Sequence, residues 1–314
     1  MEKSNYSENS VALMFILVPT IFAILGLIFF PYDPFGAGKT LERILLIPLF
    51  SSLVLLGIGF FLKKDEISNK LKMAGWIIFA FYWSTKTNTL YFGGDGDFVN
   101  AFLCIAGVYF LSYIAYHEWL SLKRNENIEC LNWVAGASCI AGFIYFGIEN
   151  TPLAPWLIDT VAAQSGGLLN LFTGNVDVYQ SIIFYKGSYI VNIIFACTAI
   201  QSMVLFVGMI FPLKKIDKKR RAYGLLMTVV PIYFLNLIRN LLVPYLMING
   251  VDFNMAHNVI GKGGSLLALV LLLLIVIKIL PELFDEIISL IDIYKRDGPI
   301  ERFFKKYFGR KKAA

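Results

Sequence analysis

The stretch SLLALVLLLLIVIKIL, at residues 265–280, is apolar apart from Ser265 and Lys278. A helix needs about 20 predominantly apolar residues to cross the hydrocarbon core of a bilayer, and this run with the residues before it is long enough. Similar apolar runs alternate with short charged clusters along the whole chain. Since a helix satisfies its own backbone hydrogen bonds in lipid, this pattern predicts an all-α, polytopic membrane protein.

The composition supports the same class of protein. Of the 314 residues 57% are apolar, and the mean hydropathy is +0.66, whereas soluble domains are about 45–50% apolar. The net charge of +6 does not indicate a nucleic-acid partner, because most Lys and Arg residues lie in short clusters beside apolar runs. The polar opening MEKSNYSENS leads into an apolar run long enough to span, so no cleavable signal peptide is evident.

We predict about eight transmembrane helices. They lie near residues 11–30, 42–62, 73–92, 98–120, 131–149, 190–212, 222–248 and 257–280. The mixed segment 150–189, with QSGG and TGN, is predicted to be an outer loop with a short interfacial helix. The multispanning membrane domain is thus expected to cover residues 1–281, with the helices that carry the candidate functional residues at about 190–280.

The basic clusters predict the orientation of the chain. Lys and Arg gather at residues 63–72, 121–129 and 214–221 and in the tail 282–314, whereas the connection 93–97 is acidic. With eight spans, all four basic clusters fall on one side, which the positive-inside rule makes the cytoplasm. We therefore expect cytoplasmic N- and C-termini, a multi-pass protein of the plasma membrane, and a basic amphipathic tail on the inner leaflet.

Cys197 is the first polar side chain of interest within a predicted span. Thr198 follows it, and Gln201 is four residues further on, which puts it on the same face of a continuous helix. The plainer interpretation is a buried cysteine that acts as a small hydrophobe, and we assign Cys104 and Cys139 to that class. No pair of cysteines is spaced as CxxC and no Cys and His residues have metal-ligand spacing, so we expect neither a disulfide oxidoreductase nor a metal site.

Arg239 and His257 lie in the next two predicted spans. An ionisable residue inside a span costs ~2.5–3.5 kcal/mol and usually has a function. Asn236 and Asn240 flank Arg239, while His257 opens the eighth span and is followed by Lys262. The plainer interpretations are an outer anchor or a structural hydrogen-bonding cluster for Arg239, and a helix-start residue in contact with water for His257.

The predicted topology brings these residues to one depth. Spans six, seven and eight alternate in direction, so Cys197, Arg239 and His257 are all expected in the outer leaflet. A thiolate attacks carbonyls, histidine moves its proton, and arginine stabilises a thiolate or an oxyanion. These three side chains could therefore perform acyl transfer through a thioester.

Three motifs resemble the archaeosortase/exosortase family. They are ACTAIQS around Cys197, NLIRN around Arg239 and AHN around His257, within a resemblance that covers about residues 76–283 and is closest to the archaeosortase A branch. The resemblance implies a membrane cysteine transpeptidase with Cys197 as nucleophile, Arg239 as electrostatic stabiliser and His257 as acid/base. It also implies, as partners, surface proteins with a C-terminal signal (a PGF-like motif, a transmembrane helix and a basic cluster) and a membrane lipid as acyl acceptor.

Several alternatives stay open at the level of the sequence. Some archaeosortase A-like proteins resemble this chain but carry arginine as the third basic residue, so either His257 or Lys262 could fill that position. A transporter or channel with Arg239 as an anion site is the chief competing function, and the Gly-rich start of span eight favours it. A non-catalytic assembly subunit is the third hypothesis. No cofactor is expected.

Overall fold

The structure is a computed structural model, and it describes residues 2–32, 39–62, 65–93 and 98–308. The chain is mostly helical (82%), which agrees with the predicted helical, multi-pass class. Among the described residues, six helices are long and apolar enough to cross a membrane: Ser10–Phe29, Thr40–Phe61, Phe98–Arg124, Glu129–Glu149, Lys218–Ile248 and Met255–Ile279. The predicted spans 73–92 and 190–212 are not among them, and the count of eight and the orientation stay predictions.

Parts of the charge pattern lie outside the described residues. These parts are residues 63–64 of the first basic cluster, residues 94–97 of the acidic connection and residues 309–314 of the tail. The chain divides into two compact units, one of residues 1–139 with 286–314 and one of residues 140–285. The predicted boundary between a membrane domain and a tail at residue 281 stays a prediction.

The first unit is built from helices. They are α1 (Glu2–Phe29), α2 (Lys39–Phe61), α3 (Asp65–Ser84), α4 (Thr87–Phe92), α5 (Phe98–Arg124), the first half of α6 (Glu129–Glu149), the end of α11 (Pro281–Ile291), a 3-10 turn (Asp292–Arg296) and α12 (Pro299–Phe308). Helix α3 packs against both α2 and α5. Lys72 of α3 and Glu118 of α5 form a buried ion pair at 3.2 Å, and each charge would be costly if it were buried alone.

The polar stretch STKTNT explains why the third predicted span is interrupted. Helix α3 ends at Ser84, and α4 begins only at Thr87. The side chain of Asn88 is buried and donates to the carbonyls of Leu27 and Phe30, at 2.9 and 3.0 Å. The last carbonyls of a helix have no partner within it, so Asn88 caps the end of α1. These polar residues therefore serve the packing of the first unit.

A carboxylate network holds α12 against α5. Glu301 accepts hydrogen bonds from the hydroxyls of Tyr113 and Tyr116, at 2.5 and 2.9 Å, and His117 Nε2 lies 3.4 Å away. Burial by itself raises the pKa of Glu301, but the hydrogen bonds from His117 and the two tyrosines outweigh it and hold that pKa at about 2. One ionised carboxylate thus connects α12 to three side chains of α5.

The second unit combines helices with a small sheet. Its elements are the end of α6, α7 (Leu153–Thr173), β1 (Val176–Tyr179), β2 (Ile182–Tyr185), β3 (Ser188–Asn192), a 3-10 turn (Phe195–Thr198), α8 (Ile200–Ile210), α9 (Lys218–Ile248), a π-helix (Met255–Lys262), α10 (Gly263–Ile279) and the start of α11 (Pro281–Ile291). Helix α9 is central, since it contacts α7, α8, α10, the 3-10 turn and the π-helix.

The segment 150–189 is more ordered than the predicted loop with a short helix. It contains the 21-residue helix α7 and most of an antiparallel sheet in the order β1-β2-β3. Gly166, within QSGG, lies on the packed face of α7, where a Cβ atom would come within 2.2 Å of Val178 on β1. The strand signal lay in the β-branched and aromatic runs VDVY, IIFY and SYIVN.

The sixth predicted span is not a continuous helix. Strand β3 ends at Asn192, the 3-10 turn follows, and the 11-residue α8 begins after Ala199. Ala199 has a φ of 63°, in the left-handed region that costs a residue with a Cβ about 1–2 kcal/mol. Cys197 therefore lies on a tight turn before a helix and not along a transmembrane helix.

Candidate active site

The Cys197 turn, which we define as Phe195–Thr198, is fixed by local hydrogen bonds. The amide of Cys197 donates to the carbonyl of Ile194 at 2.8 Å, and the hydroxyl of Thr198 donates to that of Phe195 at 2.7 Å. Cys197 is 9% exposed. A tight turn between a strand and a helix can hold a nucleophile in a defined place, as in hydrolases that use this arrangement.

Two asparagines of α9 anchor this turn. The side chains of Asn236 and Asn240 both donate to the backbone carbonyl of Cys197, at 2.7 and 2.9 Å. They are four residues apart and share a face of α9, and Arg239 is three residues from the first and next to the second. The structure thus brings together Cys197, both predicted supporting asparagines and the helix that carries Arg239.

Arg239 lines a cavity of about 210 Å³ between α8, α9 and the start of α10. Ser202, Asn236 and Ser265 contribute polar groups, and most other lining side chains are apolar. The guanidinium is half-buried, and its Nε is buried without a hydrogen-bond partner among the described residues. Because arginine stays protonated, the cavity presents a positive charge and an uncommitted donor to an oxygen atom. Cys197 does not line this cavity.

The π-helix places His257 on an element that contacts α9. Gly261, about one helical turn after His257, lies against α9, where a Cβ atom would come within 3.2 Å of Val243 and 3.4 Å of Arg239 Nε. The half-buried ring of His257 stacks on Phe253, with ring centroids 5.0 Å apart. Short π-helical segments are often found at functional sites, but the acid/base role of His257 stays a prediction.

The remaining predicted side chains are placed differently from one another. Thr198 is buried and holds the Cys197 turn, and Lys262 is exposed at the end of the π-helix. Gln201 is exposed while Cys197 is buried, so the expected shared face is not present. The physical reason is that the four-residue rule needs a continuous helix, and the 3-10 turn and Ala199 interrupt it.

The Cys197 side chain belongs to an apolar cluster that no motif indicated. Its other buried members come from α7, the sheet and its exit, and α9: Val161, Ala162, Leu169, Ile183, Ile193 and Leu237. The sequence gives little sign of this cluster, because the apolar face of α7 can be predicted only if the QSGG segment is interpreted as helical. No group of three or more His, Cys, Asp or Glu residues in the described parts of the chain could hold a metal ion.

One comparison with known proteins gives a match. The family model described as "Transmembrane exosortase" matches residues 130–275, a range that contains Cys197, Arg239 and His257. No curated protein and no solved structure matches the chain. The match supports the resemblance to the exosortase/archaeosortase family, whose members are cysteine transpeptidases in general. It also agrees with the prediction of a multi-pass membrane protein.

Proposed function

We propose that this protein is a membrane cysteine transpeptidase that cleaves a C-terminal sorting signal from surface proteins on the outer side of the membrane. The observation that supports it best is the pair of hydrogen bonds from Asn236 and Asn240 to the Cys197 carbonyl, within the range that matches the exosortase family. These bonds fix the proposed nucleophile to the helix that carries Arg239. Cys197 and Arg239, two of the three residues to which the family resemblance gives a role, are thus on elements in direct contact.

The proposed reaction is acyl transfer through a thioester. The Cys197 thiolate attacks the carbonyl carbon of the scissile peptide, and Arg239 stabilises the thiolate or the oxyanion. His257 takes the thiol proton and returns it to the leaving amine, which departs with the signal's transmembrane helix. A nucleophilic headgroup of a membrane lipid then attacks the thioester and gives its proton to His257, so that the new C-terminus is joined to lipid and the Cys197 thiolate is released.

The proposed substrate is a protein with a PGF-like motif, a transmembrane helix and a basic cluster, as in the archaeosortase A branch. The apolar walls of the cavity beside Arg239 are compatible with a membrane-embedded peptide segment. The thiol itself is covered by the apolar cluster, so part of this cluster must move when the scissile bond approaches.

A reporter protein with such a signal tests the proposal. In membranes with the wild-type chain, the reporter should lose its tail helix, which gel mobility and the mass of the new C-terminus both reveal. Cys197→Ser should stop this processing while the protein still inserts. Cys104→Ser, which changes another buried cysteine, is the matched control and should process the reporter normally. Normal processing by Cys197→Ser would refute the thiol mechanism.

Substitutions of the basic residues separate their roles. Arg239→Lys should slow processing strongly, because lysine keeps the charge but lacks the planar fork of donors. His257→Ala and Lys262→Ala then decide the third position, since loss of processing in one of them alone identifies the acid/base residue. Full activity of Arg239→Lys would argue against a geometric role for the guanidinium.

A transporter or channel with Arg239 as its anion site is the second candidate. The unpartnered Nε of Arg239 at the cavity favours it. In that case Arg239→Ala should abolish anion flux into proteoliposomes, while Cys197→Ser should leave it unchanged. No flux in the wild-type protein would exclude this alternative.

A further inference from the structure

The outer side of β3, which we call the β3 edge, is an open edge of the small sheet. The strand order is β1-β2-β3, so β3 has a strand partner on one side only. Strand β1, at the opposite edge, packs on α7 and carries the charged residue Asp177. Natural proteins often protect edge strands with charged residues or proline, and β3 contains neither. The sequence of β3 therefore does not block pairing with a further strand.

Two residues of β3 turn their main-chain groups away from β2 and towards this edge. In an antiparallel strand, residues that bond to the partner strand alternate with residues that point the other way. Ser188 closes the two-residue turn from β2, so the N–H and C=O groups of the next residue, Tyr189, point outwards. The amide of Ile193 donates to the carbonyl of Ser181 at 2.8 Å, so the groups of the residue before it, Asn192, point outwards too.

These outward groups have no partner within the protein. The main-chain N–H and C=O groups of Tyr189 and Asn192 make no hydrogen bond to any described part of the chain. Both residues are exposed, Tyr189 to 61%. Ile190 is an extra residue between them, and such bulges are frequent beside active sites. Since backbone groups need a hydrogen-bond partner, this edge bonds either to water or to another chain.

The β3 edge leads directly to the proposed nucleophile. Asn192 is five residues before Cys197, and Ile193 belongs to the same apolar cluster as Cys197. Ile194, whose carbonyl accepts the amide of Cys197, is 53% exposed. A strand advances about 3.3 Å per residue, so an added strand of about five residues can cover β3 and end beside the Cys197 turn.

The proposed substrate has a segment that suits this edge. Its scissile bond precedes the transmembrane helix, and the peptide must be unwound where the Cys197 thiolate attacks a carbonyl carbon. Beside a membrane, the N–H and C=O groups of an unwound peptide find few water molecules, and each unpaired group is costly. An open strand edge offers partners to both kinds of group, whichever side chains the peptide carries.

We propose that the β3 edge binds the substrate segment that precedes the transmembrane helix as a fourth strand of the sheet. The outward main-chain groups of Tyr189 and Asn192 pair with this segment, and the added strand brings the scissile bond to the Cys197 turn. The inference rests on the proposed transpeptidase function. It adds that the site recognises the extended main chain of its substrate.

Disulfide cross-linking in nanodiscs tests the added strand. The full-length protein carries Cys197→Ser, so that the reporter is not cleaved, together with Tyr189→Cys. The reporter carries a single cysteine, which is moved one position at a time through the segment before its transmembrane helix. Residues that face each other in an antiparallel pair lie about 5.5 Å apart at Cα, within the reach of a disulfide, and their neighbours point to the opposite face.

An added strand gives a cross-linking pattern with a period of two. We expect the strongest cross-link at one reporter position, weaker ones two residues to either side, and none at the positions between. The Cys197→Ser protein without Tyr189→Cys is the control and should give no cross-link, since its remaining cysteines are buried. A period of three to four residues, or no cross-link at all, overturns the inference.

Substitutions of Asn192 separate main-chain pairing from side-chain contact. Asn192→Pro removes the outward N–H but no bond to β2, and edge strands tolerate proline at such positions. We expect it to slow processing at low reporter concentration about tenfold, because a carbonyl of the bound peptide loses its donor. Asn192→Ala keeps the amide and should process at the wild-type rate. Equal rates in the two variants overturn the pairing, and if Asn192→Pro does not fold, the cross-linking pattern decides.

Cross-linking needs no cleavage, so the two proposals fail separately. If the wild-type chain never processes the reporter but the period of two is found, the transpeptidase proposal fails and the strand pairing is supported. If processing is normal and that period is absent, the inference about the β3 edge alone is wrong. Disulfides between two copies of the Tyr189→Cys protein without reporter would assign the edge to a second copy, and would also overturn the inference.

Discussion

The bonds from Asn236 and Asn240 to the Cys197 carbonyl predict a specific pattern of energies. Asn→Leu substitutions at the two positions, alone and together, keep a side chain of similar size but remove the donor. Each bond, at 2.7 and 2.9 Å, should contribute about 1 kcal/mol net. In either single variant the carbonyl keeps one donor, so we expect a loss of about 1 kcal/mol in the free energy of unfolding.

The double variant should lose more than the sum of the two. It leaves a carbonyl beside a buried turn without a partner, which adds about 1–3 kcal/mol of uncompensated desolvation, so the total should be about 3–5 kcal/mol. The coupling energy between the two positions is then about 1–3 kcal/mol, in the range found for residues that share a partner. Processing of the reporter should fall more in the double variant than in either single one, because the Cys197 turn loses its attachment to α9.

Reversible unfolding in mixed micelles, followed by tryptophan fluorescence, measures the free energies. Asn249→Leu is the matched control. Asn249 is exposed at the C-cap of α9 and donates to the carbonyl of Tyr245, so its substitution should change the free energy of unfolding only slightly. Strictly additive losses, or a double variant with wild-type processing, would show that the carbonyl of Cys197 is not held in this way.

Two other predictions concern glycines beside the site and the C-terminal attachment. Gly261→Ala should slow processing, because its Cβ would come within 3.2 Å of the Val243 side chain and of the Ala256 carbonyl, where the π-helix packs on the helix that carries Arg239. Gly263→Ala, which meets nothing within 4 Å, should be neutral or slightly stabilising; equal effects would refute this packing. The pKa of Glu301 is lowered from 4.5 to about 2, so its stabilisation of α12 is present above pH 4.5 and is lost as the pH falls towards 2. The protection of α12 amides from hydrogen exchange should therefore decrease in the wild type as the pH falls from 4.5 towards 2, and it should not depend on pH over this range in Glu301→Gln. Wild-type protection that stays constant over this range would contradict the network.

The sequence alone determined the class of protein and the residues of interest. Apolar runs of spanning length favour transmembrane helices, because a helix satisfies its own backbone hydrogen bonds in lipid, and six helices of sufficient length and apolarity are present in the described residues. Cys197, Arg239 and His257 could be singled out from the sequence because they are polar side chains within apolar runs. The matched family model covers all three residues.

Tertiary structure alone decided how Cys197 is presented. The apolar run through 190–212 looks like one helix, yet the strand β3 and the left-handed Ala199 break it, because pairing with β2 competes with helix formation. For that reason Gln201 is exposed and does not share a face with the buried Cys197, although the spacing had predicted a shared face. The partners of the Cys197 carbonyl, Asn236 and Asn240, lie 39 and 43 residues further along the chain. Only the packing of α9 on the Cys197 turn brings them together, and no local pattern encodes that packing.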